Sequence, residues 1–226
     1  MKSKLSKRKI DVVIIGAGGH GREVAAYIED MKQNDVFLNL LGFIDENKKA
    51  GSCGVSKILG GLEALRKEIS NPKQGKSLYY ITALGDAKVR KKIVEKVEGL
   101  GKILPITISH QSTRIFHDVK IGKGTCLAPG SIVTTHVRIG RHVIVNIKAT
   151  ISHDCVLKDY VTVSPGVTIC GNVKIGEGAF IGAGATIKEG VSIGKWSVIG
   201  AGAMVINNIP DGVTAVGVPA RIIKEN

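Results

Sequence analysis

From Ile115 to Val205 an aliphatic residue occupies every sixth position, sixteen times without a slip, through Ile121, Leu127, Val133, Val145, Ile151, Val163 and Ile187 among others. A period of six matches neither the 3.6-residue α-helix nor the two-residue alternation of a half-buried strand. It matches a short flat strand followed by a turn, with three sixes closing one triangular coil. Small or β-branched residues stand two positions before the ruler, at Thr125, Ser131, Val137, Ala149, Cys155, Ala179, Ala185 and Ser197. Glycine often follows it, at Gly122, Gly140, Gly176, Gly182, Gly194 and Gly200. The small residues are expected to permit close approach at corners, and the glycines to supply the backbone angles that corners need. Five coils, stacked about 4.8 Å apart, make a prism roughly 25 Å tall. The second half therefore reads as a parallel β-helix of hexapeptide repeats.

This architecture explains a composition of 29 Gly against only 4 Phe, 4 Tyr and 1 Trp in 226 residues. With 43% hydrophobic residues and no Gly-X-Y period, the chain is neither disordered nor collagenous. The net charge of +13 is spread along the chain, apart from a basic tail at 1–9. A basic patch interleaved with aromatics is missing, so nucleic acid is not the expected partner; an anionic nucleotide or coenzyme suits the sign. Cys53, Cys126, Cys155 and Cys170 stand singly, as reduced thiols of a cytoplasmic protein do. The sequence carries no apolar run long enough for a membrane span.

The first half has a different grammar. The strand-like run 10–15 leads into Gly16-Ala17-Gly18-Gly19-His20-Gly21 and then a helical stretch from Arg22. A G-x-G-x-x-G turn between strand and helix lets backbone N–H groups approach an anion. A second strand ends at Asp45-Glu46 and a third at Gly85-Asp86, with Arg90 on the helix that follows. Parallel strands ending at Gly18, Asp45 and Gly85 would open on one side of a sheet, where α/β ligands bind. About 110 residues suit a mononucleotide or nucleotide-linked sugar rather than a dinucleotide. The expected organisation is a basic tail (1–9), a Rossmann-like α/β nucleotide-sugar domain (10–110), an all-β prism (111–208) and a closing segment (209–226).

Six histidines, His20, His110, His117, His136, His142 and His153, could serve as a base. His117 and His153 are each followed by Asp and lie two complete coils apart, which places them on one prism edge. Periodicity alone does not choose among the six.

The segments GAGGHG, FIDEN, GDAKVR, ISHDC, SPGVTICGNVKIG and GVPA together resemble one family over nearly the whole chain. It is the bacterial sugar acyltransferases that include the UDP-4-amino-sugar N-acetyltransferases and the sialic acid O-acetyltransferases. The resemblance implies a left-handed prism, opposite to the usual hand of parallel crossovers, and a homotrimer with active sites between neighbours. It implies acetyl-CoA as acyl donor and a nucleotide-linked amino sugar as acceptor, for surface glycan synthesis. It makes His153 the general base and Asp154 its orienting acid, with Asn146 holding the acceptor group. It places coenzyme A along Thr162, Gly171, Ala183 and Ala201. Gly18, Gly19 and His20 would then meet the nucleotide phosphates or sugar, Asp45 and Glu46 the ribose and base, and Gly85 the phosphate side. O-acetylation of a sugar or sialic acid remains an alternative, and a non-catalytic nucleotide-sugar-binding protein a remoter one. A zinc lyase on such a prism needs a further histidine where this chain has Lys158, so no metal is expected.

Overall fold

The computed structural model describes residues 10–32, 38–70 and 77–225; the basic tail 1–9 lies outside the described residues. The chain divides into two compact units, Met1–Leu84 with Ile93–Pro105, and Gly85–Lys92 with Ile106–Asn226. The division therefore falls a few residues before the expected one at 110, and Gly85 to Lys92 group with the prism.

The first unit is an α/β sheet. Its elements are β1 (Ile10–Ile15), α1 (Gly19–Lys32), β2 (Leu38–Ile44), β3 (Gly51–Cys53), β4 (Ser56–Gly60), α2 (Leu62–Ser70), β5 (Leu78–Thr82), the part of α3 (Ala87–Glu98) from Ile93 on, and β6 (Ile103–Pro105). The sheet order is β3-β4-β2-β1-β5-β6, parallel throughout except for the β3–β4 hairpin. β1 is central, and Val12, Val13, Ile14 and Ile15 are all buried. An unbroken apolar run of this kind belongs to a strand covered on both faces. Val24, Ala25 and Ile28 form the buried stripe of α1 at helical spacing. The chain leaves β1 for β2 on one side and reaches β5 on the other, so the carboxyl end of β1 is a topological switch point, the usual place for a ligand.

The second unit is the prism. Three parallel sheets of eight, six and five strands are built from two-residue rungs, in registers such as Thr150↔Thr168 and Ile151↔Ile169. Fourteen of the sixteen ruler residues, Leu127 through Val205, are buried at 4% exposure or less. Ile115 and Ile121 belong to the opening coil and remain partly exposed. The small residues two positions earlier are also buried and line the corners from inside. Their polar atoms bond nearby carbonyls, as Thr125 Oγ1 does to Gly140 O and Ser197 Oγ to Pro210 O. The prism begins earlier than expected, with Ile108–Ser109 pairing to Cys126–Leu127. The closing segment continues the eight-stranded sheet through Val213–Val216 and an antiparallel Arg221–Glu225.

The corners correct one expectation. The glycines that follow the ruler do not carry positive φ; a Cβ at Gly122 would collide with the backbone of Gly140 and Arg141 in the next coil. They are there for close approach. The left-handed residue comes two positions later, and it is Gly at 124, 130, 166, 178, 184, 190 and 202 but Asp118, His136, His142, Lys148, Asp154, Tyr160, Asn172 or Trp196 elsewhere. A positive φ at the third residue of a four-residue turn is the mark of type II. Ser164-Pro165-Gly166-Val167 shows why: Pro presets the second position, Gly takes φ +67°, and Val167 N bonds Ser164 O at 3.4 Å.

Because coils bury their rulers only against neighbouring coils, Ile169→Ala should cost about 2–5 kcal/mol, whereas Ile115→Ala should cost well under half of that. Denaturant unfolding of the two variants checks the difference.

Candidate active site

In the first unit, Gly16 N bonds Ile44 O, and Ala83 N bonds Ile15 O, which ties the end of β1 to both neighbouring strands. A Cβ on Gly21 would collide with Gly16 O, so that glycine permits the tight exit from strand to helix. Gly18 and Gly19 differ: a Cβ on either would meet nothing, and their backbone stands open at the start of α1. The first turn of α1 contains no acidic residue to compete with an anion. His20 lies in that turn with Nδ1 3.2 Å from Glu23 Oε2.

Asp45 and Glu46 are occupied differently from the ribose and base contacts expected of them. Asp45 accepts from Ala17 N at 2.9 Å and from Asn47 N at 3.0 Å, while Lys48 Nζ donates to Ala17 O at 2.6 Å. Glu46 accepts from Leu62 N at 2.9 Å and so caps α2. Both carboxylates therefore shape the glycine turn and its surroundings.

In the second unit, Ser152-His153-Asp154-Cys155 is one prism corner. Asp154 takes φ 59°, and its Oδ2 lies 2.8 Å from His153 Nδ1. With Nδ1–H donating to the carboxylate, Nε2 keeps its lone pair for a substrate proton. The next coil carries Gly171 beneath the imidazole; a Cβ there would lie 2.6 Å from His153 Nε2. His153 is half-exposed, with 51% of its side chain open. A base held from the side by a carboxylate and from below by bare backbone is a fixed proton acceptor on an open edge.

His117 shares this edge, as its spacing predicts: His136 N bonds His117 O, Asp154 N bonds Thr135 O, and Asn172 N bonds His153 O. Asn146, Ala183 and Ala201 occupy a different edge, separated from His153 and Gly171 by the sheet that contains Thr150–Ile151. Asn146 is half-buried and its Oδ1 accepts from Ile147 N at 3.0 Å; Ala183 and Ala201 are exposed one coil apart. Cys155, two residues after His153, is buried, and burial pushes its thiol up to about 11, so it is no nucleophile at neutral pH.

Thr162 is a correction. It is 4% exposed, and its hydroxyl accepts from Arg90 Nη2 at 2.9 Å, so it offers no surface to a coenzyme. Arg90 itself is fully buried on the outer side of the eight-stranded sheet. It donates to His142 O, Tyr160 O and Gly85 O as well. Burial lowers its pKa to about 10, which leaves it charged at neutral pH. Beside it His142 stacks on Tyr160, ring centroids 5.5 Å apart. Burial first, then Arg141 and Arg90, lowers His142 to about 4, so it is neutral at physiological pH and unavailable as a cationic acid. In the sequence Arg90 reads only as a helix residue; nothing local signals a partner 72 positions away.

Two clefts open on this unit. The larger, about 850 Å³, is lined by Lys158, Asp159, Lys174, Glu177 and Lys195 among others; the smaller, about 370 Å³, holds Gly85 with Lys88, Phe180 and Trp196. His153 lies in neither; its edge is open. Among the described residues, no group of His, Cys, Asp and Glu is arranged to hold a metal, and no helix is long and apolar enough to cross a membrane.

Known proteins share this arrangement. Residues 11–97 match the PglD N-terminal domain, and residues 172–207 match bacterial transferase hexapeptide repeats. GDP-perosamine N-acetyltransferase of Escherichia coli O157:H7 is 34% identical over 220 residues, covering 94% of this chain and 96% of that protein. A solved histidine-to-asparagine variant of perosamine N-acetyltransferase from Caulobacter crescentus, in complex with CoA and GDP-perosamine, is 31% identical. It has a TM-score of 0.86 and covers 95% of this chain and 97% of its own. The acetyltransferase domain of PglB from Neisseria gonorrhoeae, in complex with acetyl coenzyme A, is 28% identical with a TM-score of 0.84, over 96% of this chain and 100% of its own. The chain belongs to the hexapeptide-repeat sugar acetyltransferases with a PglD-type N-terminal domain. It is an acetyltransferase, and its prism is the left-handed β-helix of that family.

Two outcomes follow from the geometry. Gly171→Ala should displace the His153 ring and lower acetyl transfer about 100-fold, with circular dichroism unchanged. Since His142 has a folded pKa below its unfolded one, stability should fall as pH drops from about 6.5 to about 4, by about 3 kcal/mol from this group. His142→Phe should flatten that part of the stability–pH curve relative to wild type.

Proposed function

We propose that the protein is an acetyl-CoA-dependent N-acetyltransferase acting on a GDP-linked amino sugar, with His153 as general base. The observation that carries this reading is the His153–Asp154 pair seated over Gly171 on an open edge, in a chain 34% identical to a GDP-perosamine N-acetyltransferase. The sugar amine attacks the thioester carbonyl while His153 Nε2 removes the amine's proton. The tetrahedral adduct then expels the coenzyme thiolate, which takes the proton back from the imidazolium. Asp154 stabilises that imidazolium through Nδ1.

The open backbone at Gly18, Gly19 and His20 receives the nucleotide phosphates, and Asp45 and Glu46 act by holding that turn and the start of α2. Gly85 lines the acceptor path, and Asn146 contacts the acceptor group. Gly171, Ala183 and Ala201 line the donor. Because these residues divide between two prism edges, a homotrimer in which one copy's edge faces its neighbour is the assembly that uses both. Exposed Phe116, Ile132 and Ile147 on the prism supply apolar surface for it. The enzyme works in the cytoplasm, consistent with four free cysteines. N-acetylation is preferred to O-acetylation because the named relatives transfer to an amine.

Release of free thiol from acetyl-CoA, measured against GDP-, UDP- and dTDP-linked amino sugars and free sialic acid, tests the reading. GDP-perosamine should be turned over fastest. His153→Ala should lower kcat by about 100-fold or more and leave CoA affinity unchanged. Activity with free sialic acid alone, or wild-type turnover by His153→Ala, would overturn it.

A further inference from the structure

Among the described residues, Arg90 is the only buried arginine or lysine. An apolar side chain of similar volume is ordinarily as stable in such a place, or more so. What Arg90 does that an apolar residue would not is join three pieces of backbone. Its Nε donates to His142 O at 3.1 Å and its Nη2 to Tyr160 O at 2.5 Å, and these two carbonyls hold the same left-handed corner position in successive coils. Nη1 donates to Gly85 O at 3.2 Å, and Nη2 also donates to Thr162 Oγ1. One planar fork thus ties Gly85, at the entry to α3, to two rungs of the prism, which an ammonium on a flexible stem does not reproduce.

The next residue repeats the attachment by other means. Lys91 Nζ lies 2.7 Å from Glu177 Oε1, and 5.9 Å and 5.6 Å from the ring centroids of Tyr160 and Trp196. Both aromatics are left-handed, at φ 61° and 59°, a conformation that bulky residues rarely adopt. Tyr160 offsets it by stacking on His142, and Trp196 by lying over Gly178, where a Cβ would collide with its ring. The helix start held by these anchors is itself open. A Cβ on Gly85 would meet nothing, and Gly85 lines the cleft of about 370 Å³ with Asp86, Lys88, Phe180 and Trp196. Asp86 is engaged as the helix cap, its Oδ1 accepting from Val89 N at 2.9 Å.

We infer that Arg90, with Lys91 as a second anchor, is a positioning residue for the acceptor: it fixes the open Gly85 backbone against two coils of the prism, at the place where the nucleotide-linked sugar passes. This inference rests on the proposed acetyl transfer to such a sugar and on Gly85 lining its path. Arg90 touches no substrate; it acts through Gly85, so the prism has a part in acceptor affinity besides carrying the base. A misplacement of that backbone by a fraction of the contact distance is enough to weaken binding.

The test compares wild type with Arg90→Lys, Lys91→Met and Val133→Ala. Val133 is a buried residue of the six-stranded sheet, not the eight-stranded one that Arg90 meets, and its truncation is the control for lost stability alone. Calorimetry gives the dissociation constant for GDP-perosamine without requiring turnover, and steady-state kinetics gives KM for each substrate. Arg90→Lys should weaken GDP-perosamine about fivefold or more and Lys91→Met about threefold, with KM for acetyl-CoA unchanged. Val133→Ala should lower the melting temperature and leave both substrates bound as in wild type. Gly85→Ala, which the open space admits, should weaken the acceptor too, and Arg90→Lys added to it should cost less than on wild type. Should Arg90→Lys fail to fold, Lys91→Met in both backgrounds makes the same comparison. Acceptor affinity no weaker than in Val133→Ala, an equal loss for acetyl-CoA, or full additivity with Gly85→Ala would sink the inference while leaving the acetyltransferase reading intact. A wild-type enzyme that neither binds nor acetylates any nucleotide-linked sugar would overturn both.

Discussion

One backbone register governs the second unit. The amide of Thr150 donates to Val167 O, that of Ser152 to Ile169 O, and that of Val156 to Val173 O, so each coil hangs on the next by the same offset. Two consequences follow at once. The aliphatic ruler must face inward in every coil, because a slip of one residue would send Ile151 outward and Ser152 into the core. And any outward residue acquires a fixed address, an edge and a height, that spacing alone reports. His153 is positioned by this ladder before any side chain acts.

The register also decides which parts of the molecule could be read from sequence. Sixteen aliphatics at a spacing of six revealed the prism, and the edge shared by His117 and His153 came from the same spacing. The apolar run of β1 followed by glycines revealed the α/β sheet for a similar reason: local pattern and tertiary environment agree there. The corner angles were less legible. The sequence pattern points to the glycine after the ruler as the turning residue, but that residue stands two places further on, and in eight corners it is not glycine. A six-residue repeat does not show which of its residues crosses into positive φ, because both candidate positions tolerate small residues.

The polar groups were the least legible. Asp45 bonds a residue 28 positions away, Glu46 one 16 away, and Thr162 one 72 away. The Asp45 and Thr162 bonds satisfy half-buried or buried groups and the Glu46 bond satisfies a helix end, and those requirements are blind to sequence distance. Arg90 is the extreme case: a fully buried guanidinium is tolerated only because three carbonyls and a hydroxyl surround it. Motif resemblance places a residue type at a position, whereas burial decides whether its polar atoms remain available to a ligand. The same reasoning leaves Gly18 and Gly19 as the strongest candidates in the first unit, since no neighbouring atom crowds the space beside either Cα.

The chemistry depends on separating packing from reactivity. The prism interior is dry and narrow, filled by Val, Ile, Leu and small corner residues, so a catalytic group has no place inside it. Putting the proposed base, His153, on a corner leaves it exposed, and an exposed side chain ordinarily samples several rotamers. Here the next coil brings Gly171 under the ring, and the left-handed turn brings Asp154 beside Nδ1, so orientation is restored without burial. A group held this way keeps access to water and substrate. The net charge of +13 then acts at longer range, raising the local concentration of anions, the proposed substrates among them, around an edge that is itself open. Rigid stacking supplies the geometry and the surrounding charge supplies the encounter, and neither requires a closed pocket in the single chain.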